Sequence, residues 1–270
     1  VAAAAPTHVG GLDSGVVFVD TEQKFSGARV AEIAANAFPS AYGVSSEDTP
    51  TSTAAKAAAL RSLTEKILVL TPSTLSETLQ RLNGLEEALI DHAVRLLVVD
   101  SVAALARAEF GTGRGQIARR QELLGQIASV LKQQAERLHM AALVTNQVTT
   151  RARSGESAFA ADDGAGSAAT AAALGVKWAH CVNTRIVLEG ATESSMMPAE
   201  GDGDRAGAKH PGARSRVVKV VKSPQCALRG FEYQVWEGGV RVLGDRKVKV
   251  HPSGSAADGA IRHIFSGAAL

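Results

Sequence analysis

The sequence predicts an α/β fold: a mostly parallel sheet with helices on both faces, followed by an antiparallel extension. Aliphatic runs in the first part of the chain alternate with helical patterns, which is typical of parallel strands joined by helices. The later strand candidates follow one another without helices between them, and this favours antiparallel neighbours. The predicted strands are Val16–Asp20, Ile67–Leu70, Arg95–Asp100, Met140–Thr145, Thr184–Leu188, Val217–Val221, Phe231–Trp236 and Gly239–Leu243.

Helical patterns fill the gaps between the early strands. A first helix is predicted over Ser26–Ala37. Thr74 opens the clearest one, because Glu77 follows it in the spacing of a capping box and leucines then recur at helical intervals as far as Leu89. A further helix is expected over about Gln116–Leu138, where apolar residues form one stripe. Strands and helices in alternation place helices on each face of the sheet.

The rest of the chain divides into a hairpin and stretches of low complexity. Glu237-Gly238-Gly239 lies between the last two predicted strands and has the residues of a tight turn. Ala, Gly, Ser and Asp dominate at about 43–59, at about 190–215 and over 244–270, and such segments bury too little apolar surface to order themselves. We therefore expect one core unit over residues 1–243 with loop insertions at the first two stretches, followed by a low-complexity tail.

The composition limits the classes of protein to which this chain can belong. With 270 residues and 45% hydrophobic content, the chain can bury a sizeable core. No apolar run approaches the roughly 18 residues of a membrane span, so we expect an intracellular protein without a membrane partner. Cys181 and Cys226 are too few for a disulfide framework, and both are expected to be small buried residues. The net charge of +2 is too small to indicate a nucleic-acid partner, which local patches must indicate instead.

Three of the predicted parallel strands end at polar residues. Glu22 and Gln147 each lie two residues beyond a strand, and Asp100 is the last residue of another. Parallel strands end at one edge of the sheet, where open α/β folds bind ligands, so these side chains are expected to lie close together. One carboxylate there can hold Mg²⁺, a second can activate water, and an amide can contact a phosphate. Taken alone, Asp100 can equally be a helix cap and Glu22 a solvated residue beginning a loop.

This layout is that of a nucleotide-hydrolysing core, but one part of such a core is absent from these residues. The phosphate-binding loop has the pattern Gly-x-x-x-x-Gly-Lys-[Ser/Thr], in which backbone amides and the lysine hold the phosphates. The pattern occurs nowhere in the 270 residues. We therefore expect the chain as given to bind ATP poorly or not at all, and whether it is an enzyme stays open.

Several motifs occur together and in order. They are Asp20-Thr21-Glu22 with Phe25 and Arg29, Leu96–Ser101, Arg107 with Gly111-x-Gly113-Arg114-Gly115, Arg119-x-Gln121, Thr145-Asn146-Gln147-Val148, Leu174-Gly175-x-x-Trp178-x-His180-x-Val182-Asn183-Thr184-Arg185 and Lys219-x-x-Lys222-Ser223-Pro224. In these motifs the chain resembles the RecA-type recombinases of eukaryotes and archaea and, among them, the recombinase paralogues, the B-type paralogue most closely. The resemblance covers roughly residues 10–243 apart from the insertions. It implies a RecA-like P-loop NTPase core, which agrees with the predicted fold class.

The resemblance implies a role for each residue at the sheet edge. Glu22 matches the catalytic glutamate of the family, Asp100 the aspartate that binds Mg²⁺, and Gln147 the catalytic-site sensor of the γ-phosphate. Arg29 resembles the arginine that packs near the adenine. ATP and Mg²⁺ are the cofactors of the family, and DNA-dependent ATP hydrolysis is its activity.

The resemblance also implies two loops that contact single-stranded DNA. The first would lie at about 107–115 and the second at about 148–175. Flexible glycine-rich backbone with a few guanidinium groups can follow phosphates without reading the sequence. The alternative is that the charges are ordinary solvated loop residues. The arginines expected to contact DNA are Arg107, Arg114, Arg151 and Arg153.

The chain also departs from the family pattern. In the family the P-loop precedes the helix that leads into Gly10-Gly11-Leu12, so a truncated sequence is expected, with a natural protein that lacks the loop as the alternative. The strand that carries the loop is central in the family's sheet, and its absence should leave strand edges unpaired. Lys222 stands where the recombinases carry an acidic residue in the cap over a neighbour's nucleotide. It could supply a cation to that nucleotide, or be a solvated lysine at a strand end.

The function that the resemblance implies is repair of DNA double-strand breaks by homologous recombination, in the nucleus. The expected partners are single-stranded DNA and other recombinase paralogues, the C-type paralogue first. Two alternatives stay open: a catalytically inactive RecA-fold module that scaffolds a paralogue complex, and a hexameric RecA-fold helicase. The absent P-loop supports the first alternative, whereas the retained Glu22, Asp100 and Gln147 argue against it. The stretch Lys222-Ser223-Pro224 fits the paralogues better than the helicases.

Overall fold

Two kinds of strand pairing meet in one sheet. The computed structural model describes residues 1–111, 113–150, 170–172, 174–190, 216–243 and 260–266. The strands of these residues are β1 Gly15–Asp20, β2 Ile67–Leu70, β3 Val94–Asp100, β4 Ala141–Asn146, β5 Val148–Thr150, β6 Thr170–Ala172, β7 Thr184–Gly190, β8 Arg216–Lys222, β9 Arg229–Trp236, β10 Gly239–Val242 and β11 Ala260–Ser266. The main sheet has the order β10-β9-β8-β7-β11-β4-β3-β1-β2. Its β4-β3-β1-β2 part is parallel and the remaining pairings are antiparallel, which confirms the predicted fold class.

Helices connect and cover the parallel strands. They are α1 Gly27–Ala37, α2 Pro39–Tyr42, α3 Pro50–Glu65, α4 Leu75–Asn83, α5 Glu86–Asp91, α6 Val102–Glu109, α7 Arg114–Arg137 and α8 Gly175–Cys181. The predicted helix cap at Thr74 is confirmed, since its side chain accepts a hydrogen bond from the first turn of α4, and Ser26 caps α1 in the same way. The leucine pattern after Thr74 forms two helices because the chain breaks at Gly84.

The main core lies between the parallel strands and α7. Leu97 and Val99 of β3 are fully buried, and Ile127 and Leu131 of α7 belong to the same apolar cluster. A fully buried leucine or isoleucine stabilises the fold by about 1.5 to 3 kcal/mol, so this cluster fixes the strand ends that carry the candidate site. Among the described residues, no helix is both long and apolar enough to span a membrane.

The tight turn predicted at Glu237-Gly238-Gly239 is confirmed, and it joins β9 to β10. A Cβ on Gly238 would lie 2.3 Å from the Trp236 ring, and Gly239 has a φ of 110°. Glycine is needed at both positions, because the first leaves no room for a side chain and the second has left-handed backbone. The eight predicted strands all occur, with ends shifted by at most two residues.

The stretch at 43–59 was expected to be a loop insertion, and this is wrong for most of it. Helix α3 begins at Pro50 and continues to Glu65. The Thr49 side chain accepts a hydrogen bond from the Ser52 amide, and Pro50 occupies the first helical position, where its missing N–H costs nothing. The many alanines, taken as low complexity, have the highest helix propensity of any residue and so favour this helix.

Two expectations for the sheet edges also need correction. The stretch 244–270 was expected to be a tail, yet it contributes β11, which pairs antiparallel with both β4 and β7. The edge of β4, expected to be unpaired, is therefore paired, because a strand from another part of the chain satisfies its backbone groups. Where the core unit ends along the chain stays a prediction, and the insertion at 190–215 lies almost wholly outside the described residues.

The cysteines differ from the expected picture. Cys181 is the last residue of helix α8 and is half-buried. Cys226 is exposed, so the expectation of a small buried residue is wrong there. It lies in the connection between β8 and β9, where no second layer of the described structure covers it.

Candidate functional site

The candidate site lies at the carboxyl edge of the parallel strands. Asp20, the last residue of β1, is in register with Asp100, the last residue of β3. On the other side of β3, Val99 is in register with Val144, two residues before the end of β4. The structure therefore brings together the three strand ends that carry Glu22, Asp100 and Gln147.

Glu22 is the centre of a hydrogen-bond network, with its side chain only 18% exposed. Its Oε1 atom accepts hydrogen bonds from Ser101 Oγ at 3.1 Å and from Gln147 Nε2 at 2.6 Å. Its Oε2 atom forms an ion pair with the Lys24 ammonium. Both oxygens of this carboxylate are thus engaged, and Glu22 is not the solvated loop residue of the alternative expectation.

The ionisation of Glu22 follows from these contacts. The hydrogen bond from Lys24 lowers the pKa of the Glu22 carboxyl; burial opposes this effect, and the Ser101 hydroxyl adds to it. Conversely, Glu22 raises the pKa of Lys24, with smaller contributions from Asp100 and Asp20. A carboxylate that stays ionised is what a group needs to accept a proton from water, although a low pKa makes it a weaker base.

Asp100 can contribute one ligand to a metal ion. Its Oδ1 atom accepts a hydrogen bond from the Thr145 hydroxyl, whereas its Oδ2 atom accepts none from another described residue. The described residues contain no group of three or more His, Cys, Asp or Glu side chains that could hold a metal. Mg²⁺ often binds through one or two carboxylates, waters and substrate phosphates, so Asp100 fits a magnesium ion that arrives with a nucleotide.

The sequence motifs include Asp20, Thr21 and Ser101, but none of these three residues was given a role at the site. Asp20 is buried and its two carboxylate oxygens accept hydrogen bonds from the Glu22 and Phe25 amides, which shapes the turn that presents Glu22. Thr21 Oγ1 donates to the Ser101 carbonyl at 2.8 Å and accepts from the Ser101 amide. The Asp100–Ser101 peptide bond is cis. A signal was present in Asp20, because an Asp followed by a turn commonly binds the amides just ahead of it.

Gln147 connects Glu22 to helix α6. Its Nε2 atom donates to Glu22, and its Oε1 atom accepts a hydrogen bond from the Arg107 guanidinium. Arg107 lies in the last turn of α6, so the first loop expected at 107–115 is shorter than predicted. Helix α7 already begins at Arg114, which has no side-chain hydrogen bond or ion pair with another described residue.

Most of the second expected DNA-binding loop lies outside the described residues. Arg151 and Arg153 lie outside the described residues. The two ends of the expected loop are described: β5 and β6 pair antiparallel, with Val148 in register with Ala172. Gln147 thus directly precedes the first strand of this hairpin.

Arg29 lies in the first turn of α1 and contacts the β9–β10 hairpin. It donates to the Trp236 carbonyl at 3.2 Å and forms an ion pair with Glu32 at 2.6 Å. The Arg241 guanidinium lies 4.2 Å from the centroid of the Trp236 ring. The expected contact of Arg29 with an adenine stays a prediction, and its observed contact is with the end of β9.

Lys222 is neither solvated nor free. Its ammonium donates to the Val182 carbonyl at 2.7 Å and to the Ala179 carbonyl at 3.4 Å. Arg185 donates to the same Ala179 carbonyl at 3.1 Å. Burial lowers the pKa of Lys222, and the nearby Arg185 lowers it further. Two cations therefore satisfy the carbonyls at the end of α8, which contradicts the solvated strand-end alternative.

Comparison with known proteins gives one family. Residues 1–197 match the family model described as Rad51. The chain is 33% identical over 267 residues to the mouse DNA repair protein RAD51 homolog 2, covering 92% of this chain and 65% of that protein. It is 32% identical over 252 residues to the human RAD51 homolog 2, covering 89% of this chain and 57% of that protein.

A second group of relatives is named for meiotic recombination. The meiotic recombination protein DMC1 homolog A of Oryza sativa subsp. japonica is 28% identical over 243 residues, covering 89% of this chain and 56% of that protein. The chain thus spans less than two thirds of the length of each of these curated relatives. The resemblance expected from the motifs is confirmed, at the level of the family and of the recombinase paralogues.

Proposed function

The chain belongs to the Rad51 family, and we propose that it acts in homologous recombination as a recombinase paralogue at DNA double-strand breaks. In this role it works with other paralogues on single-stranded DNA. Its relatives carry the names of DNA repair and meiotic recombination proteins, which supports this role and a place in the nucleus.

The observation that carries the proposal is the convergence of Glu22, Asp100 and Gln147 at one sheet edge. Each lies at or just beyond the end of a different strand, and two hydrogen-bond donors from the other strand ends, Ser101 and Gln147, meet on one oxygen of Glu22. These hydrogen bonds join residues that are 79 and 125 positions apart in the sequence, which is not expected of solvated loop residues.

The roles of these residues follow from their chemistry. Asp100 would hold Mg²⁺ through the oxygen that no described residue engages, and the ion would neutralise charge on the phosphates of ATP. Glu22 would orient a water molecule and accept its proton. Gln147, whose amide reaches Glu22, would report the terminal phosphate to the hairpin that begins at Val148.

The arrangement is that of a resting site. The Lys24 ammonium engages the second oxygen of Glu22, so Lys24 competes with water for this carboxylate. Lys24 is 75% exposed, and its side chain can leave without disturbing the core. A polyphosphate would attract Lys24 and thereby release Glu22.

DNA binding is proposed to use phosphate contacts of Arg107, Arg114, Arg151 and Arg153. Affinity for an oligo-dT strand should fall with salt, and each lost phosphate contact should reduce the slope of log affinity against log salt by about 0.7. The experiment compares the wild-type chain with Arg114→Ala and Arg151→Ala by fluorescence anisotropy over a range of salt concentrations. Charge removal at both sites that leaves affinity and slope unchanged would refute the two-loop proposal.

Association with another paralogue, the C-type paralogue first, is proposed to use the segment Lys222-Ser223-Pro224 and the β9–β10 hairpin. Val240 and Val242 of this hairpin are 62% and 55% exposed, which is unusual for adjacent valines on one strand face and supports a contact surface.

Co-purification from the same organism tests this surface with Lys222→Glu. Since Lys222 also binds carbonyls of α8, Lys222→Met is the matched control for that internal role. The proposal expects the charge reversal to weaken the complex more than the neutral substitution does. A monodisperse monomer, or equal binding by all forms, would place the contact elsewhere.

The second candidate function is a catalytically inactive interaction module. It is favoured by the exposed Val240 and Val242, which a docking surface explains without nucleotide chemistry. Calorimetric titration with ATP and Mg²⁺ measures whether these 270 residues bind nucleotide. Micromolar affinity would refute the expectation of poor binding. An in-frame Gly-Lys-Thr motif in the genomic sequence upstream of Val1 would favour the ATPase.

A further inference from the structure

Arg107 makes a contact that neither DNA binding nor catalysis requires of it. Its guanidinium donates to Gln147 Oε1, although Arg107 and Gln147 are separated by 40 positions in the sequence. The other end of the same amide, Nε2, donates to Glu22 Oε1 at 2.6 Å. A continuous chain of hydrogen bonds therefore joins the end of α6 to the carboxylate at the centre of the candidate site.

Arg107 and Glu22 together hold the Gln147 amide in one orientation. An amide has an oxygen that only accepts and a nitrogen that only donates, whereas a guanidinium only donates and an ionised carboxylate only accepts. With Arg107 on one side and Glu22 on the other, only one of the two amide orientations makes both hydrogen bonds. Without Arg107, Glu22 still favours the same orientation, but the amide loses one of its two hydrogen-bond anchors and its bond to Glu22 opens more often.

The position of Arg107 exposes it to a ligand. It lies in the last turn of α6, it is exposed, and the connection to α7 begins a few residues later. Within that connection, the Gly111 amide donates to Gln116 Oε1 of α7 at 2.8 Å. An anion that approaches this end of α6 therefore meets the guanidinium that orients Gln147.

We propose that Arg107 is a positioning residue that holds Gln147 against Glu22 and releases it when a phosphate of single-stranded DNA takes its guanidinium. The proposal deepens the proposed function and rests on it, because it needs DNA at the first loop. The amide oxygen of Gln147 is a neutral acceptor. A phosphate is anionic and binds a guanidinium through two parallel hydrogen bonds, so it displaces the amide.

This competition would link the DNA-binding surface to the candidate site within one subunit. When Arg107 leaves, Gln147 loses one anchor and its bond to Glu22 Oε1 opens more often, which leaves the longer bond from Ser101. Glu22 is thereby restrained less. Arg107 acts on Glu22 only through Gln147 in this account.

The experiment observes the side-chain amide of Gln147 in the 270-residue chain labelled with ¹⁵N-glutamine. Exchange of its two amide protons with water is measured by NMR in the wild type, Arg107→Ala, Arg107→Lys and Arg119→Ala. Arg119 is the matched control, because it is an exposed arginine of α7 whose ion pair is with Glu122 and not with Gln147. Resonances are identified by their loss in Gln147→Glu.

Without DNA, exchange should be at least about tenfold faster in Arg107→Ala, as expected when one hydrogen bond to a charged group is lost. Arg107→Lys should restore part of the protection, since an ammonium also donates to the amide oxygen, and Arg119→Ala should match the wild type. Unchanged exchange in Arg107→Ala would overturn the positioning role. An equal increase in Arg119→Ala would overturn it as well, because it would show a general effect of charge.

A second arm adds oligo-dT at low salt. Exchange at Gln147 in the wild type should rise toward the Arg107→Ala value, while in Arg107→Ala itself it should not change. If oligo-dT binds, as measured by anisotropy, and exchange in the wild type stays slow, the release step is refuted. If oligo-dT fails to bind at all, the DNA part of the proposed function fails and the release step fails with it, whereas the first arm still decides the positioning role.

Discussion

Charged residues at strand ends have different roles in the two parts of the sheet, the parallel strands and the antiparallel strands. Strands β1, β3 and β4 run the same way, so Glu22, Asp100 and Gln147 meet at one edge. In the antiparallel part, Arg185 near the start of β7 is in register with Lys222 at the end of β8. There the two cations bind backbone carbonyls of α8.

The difference shows that the role of a charged residue at a strand end depends on the direction of the neighbouring strands. In the parallel part, successive ends collect side chains of complementary chemistry, and the resulting network is accessible from solvent at Lys24 and Arg107. In the antiparallel part, neighbouring strands bring one beginning and one end together, and the cations there complete the end of a short helix. The first arrangement is suited to a ligand, the second to stability.

The largest effect is expected where the parallel edge depends on a buried carboxylate. Asp20→Ala should destabilise the protein by about 3 kcal/mol, because it leaves the Glu22 and Phe25 amides without their acceptor. Urea unfolding followed by circular dichroism measures this loss. Asp91→Ala is the control, since Asp91 is exposed at the end of α5 and should change stability little. Equal stability of both variants would show that Asp20 does not shape the edge.

The second effect concerns catalysis at the same edge. In a version of the protein that includes a phosphate-binding loop, Glu22→Gln should keep nucleotide binding and slow hydrolysis by roughly 10²-fold or more, because the general base is lost. Steady-state phosphate release and calorimetric binding measure the two quantities separately. Asp91→Ala again serves as the control. Unchanged turnover would show that Glu22 has no catalytic role. The charged residues at the parallel edge would then be structural, like those of the antiparallel part.

The third effect tests the antiparallel part. Lys222→Met should destabilise the protein by about 1 kcal/mol, because the Val182 and Ala179 carbonyls lose a charged donor while the chain length is kept. Thermal unfolding compares it with Arg229→Met, which removes an exposed cation at the start of β9. A stabilised Lys222→Met variant would mean that repulsion from Arg185 outweighs the two hydrogen bonds.

The smallest effect is a pH dependence, since Lys24 is exposed and solvent screens its ion pair. The pKa of Glu22 is lowered in the folded protein, first by Lys24, so the stability from this contact is present above the ordinary value of 4.5 and is lost as pH falls through the lower folded pKa. Unfolding curves of the wild type and Lys24→Ala should therefore differ above about pH 4.5 and converge in more acidic solution.

Glu22→Gln provides the control for this pH dependence. Once residue 22 cannot ionise, Lys24→Ala should no longer change the shape of the curve. If the difference between wild type and Lys24→Ala persists unchanged to the most acidic pH measured, Lys24 stabilises the protein through a group other than Glu22.

Much of the fold could be predicted because its signals are local. Aliphatic runs ending in polar residues gave the parallel strands, and the cap at Thr74 gave the beginning of α4. Helix α3 was missed because its alanine-rich sequence has no apolar stripe, although its cap at Thr49 and Pro50 was present. Helix α8 was missed because seven residues are too few to show a helical period.

For the candidate site, the sequence by itself determined which residues follow the ends of the parallel strands, and therefore that Glu22, Asp100 and Gln147 lie near one another. This could be inferred because parallel strands share one carboxyl edge whatever their separation along the chain. Only the tertiary structure decided what each side chain bonds to: Lys24 on Glu22, Arg107 on Gln147, and Lys222 on the end of α8. Such contacts join residues through the turn geometry and side-chain rotamers of separate elements, and no periodicity in the sequence records these.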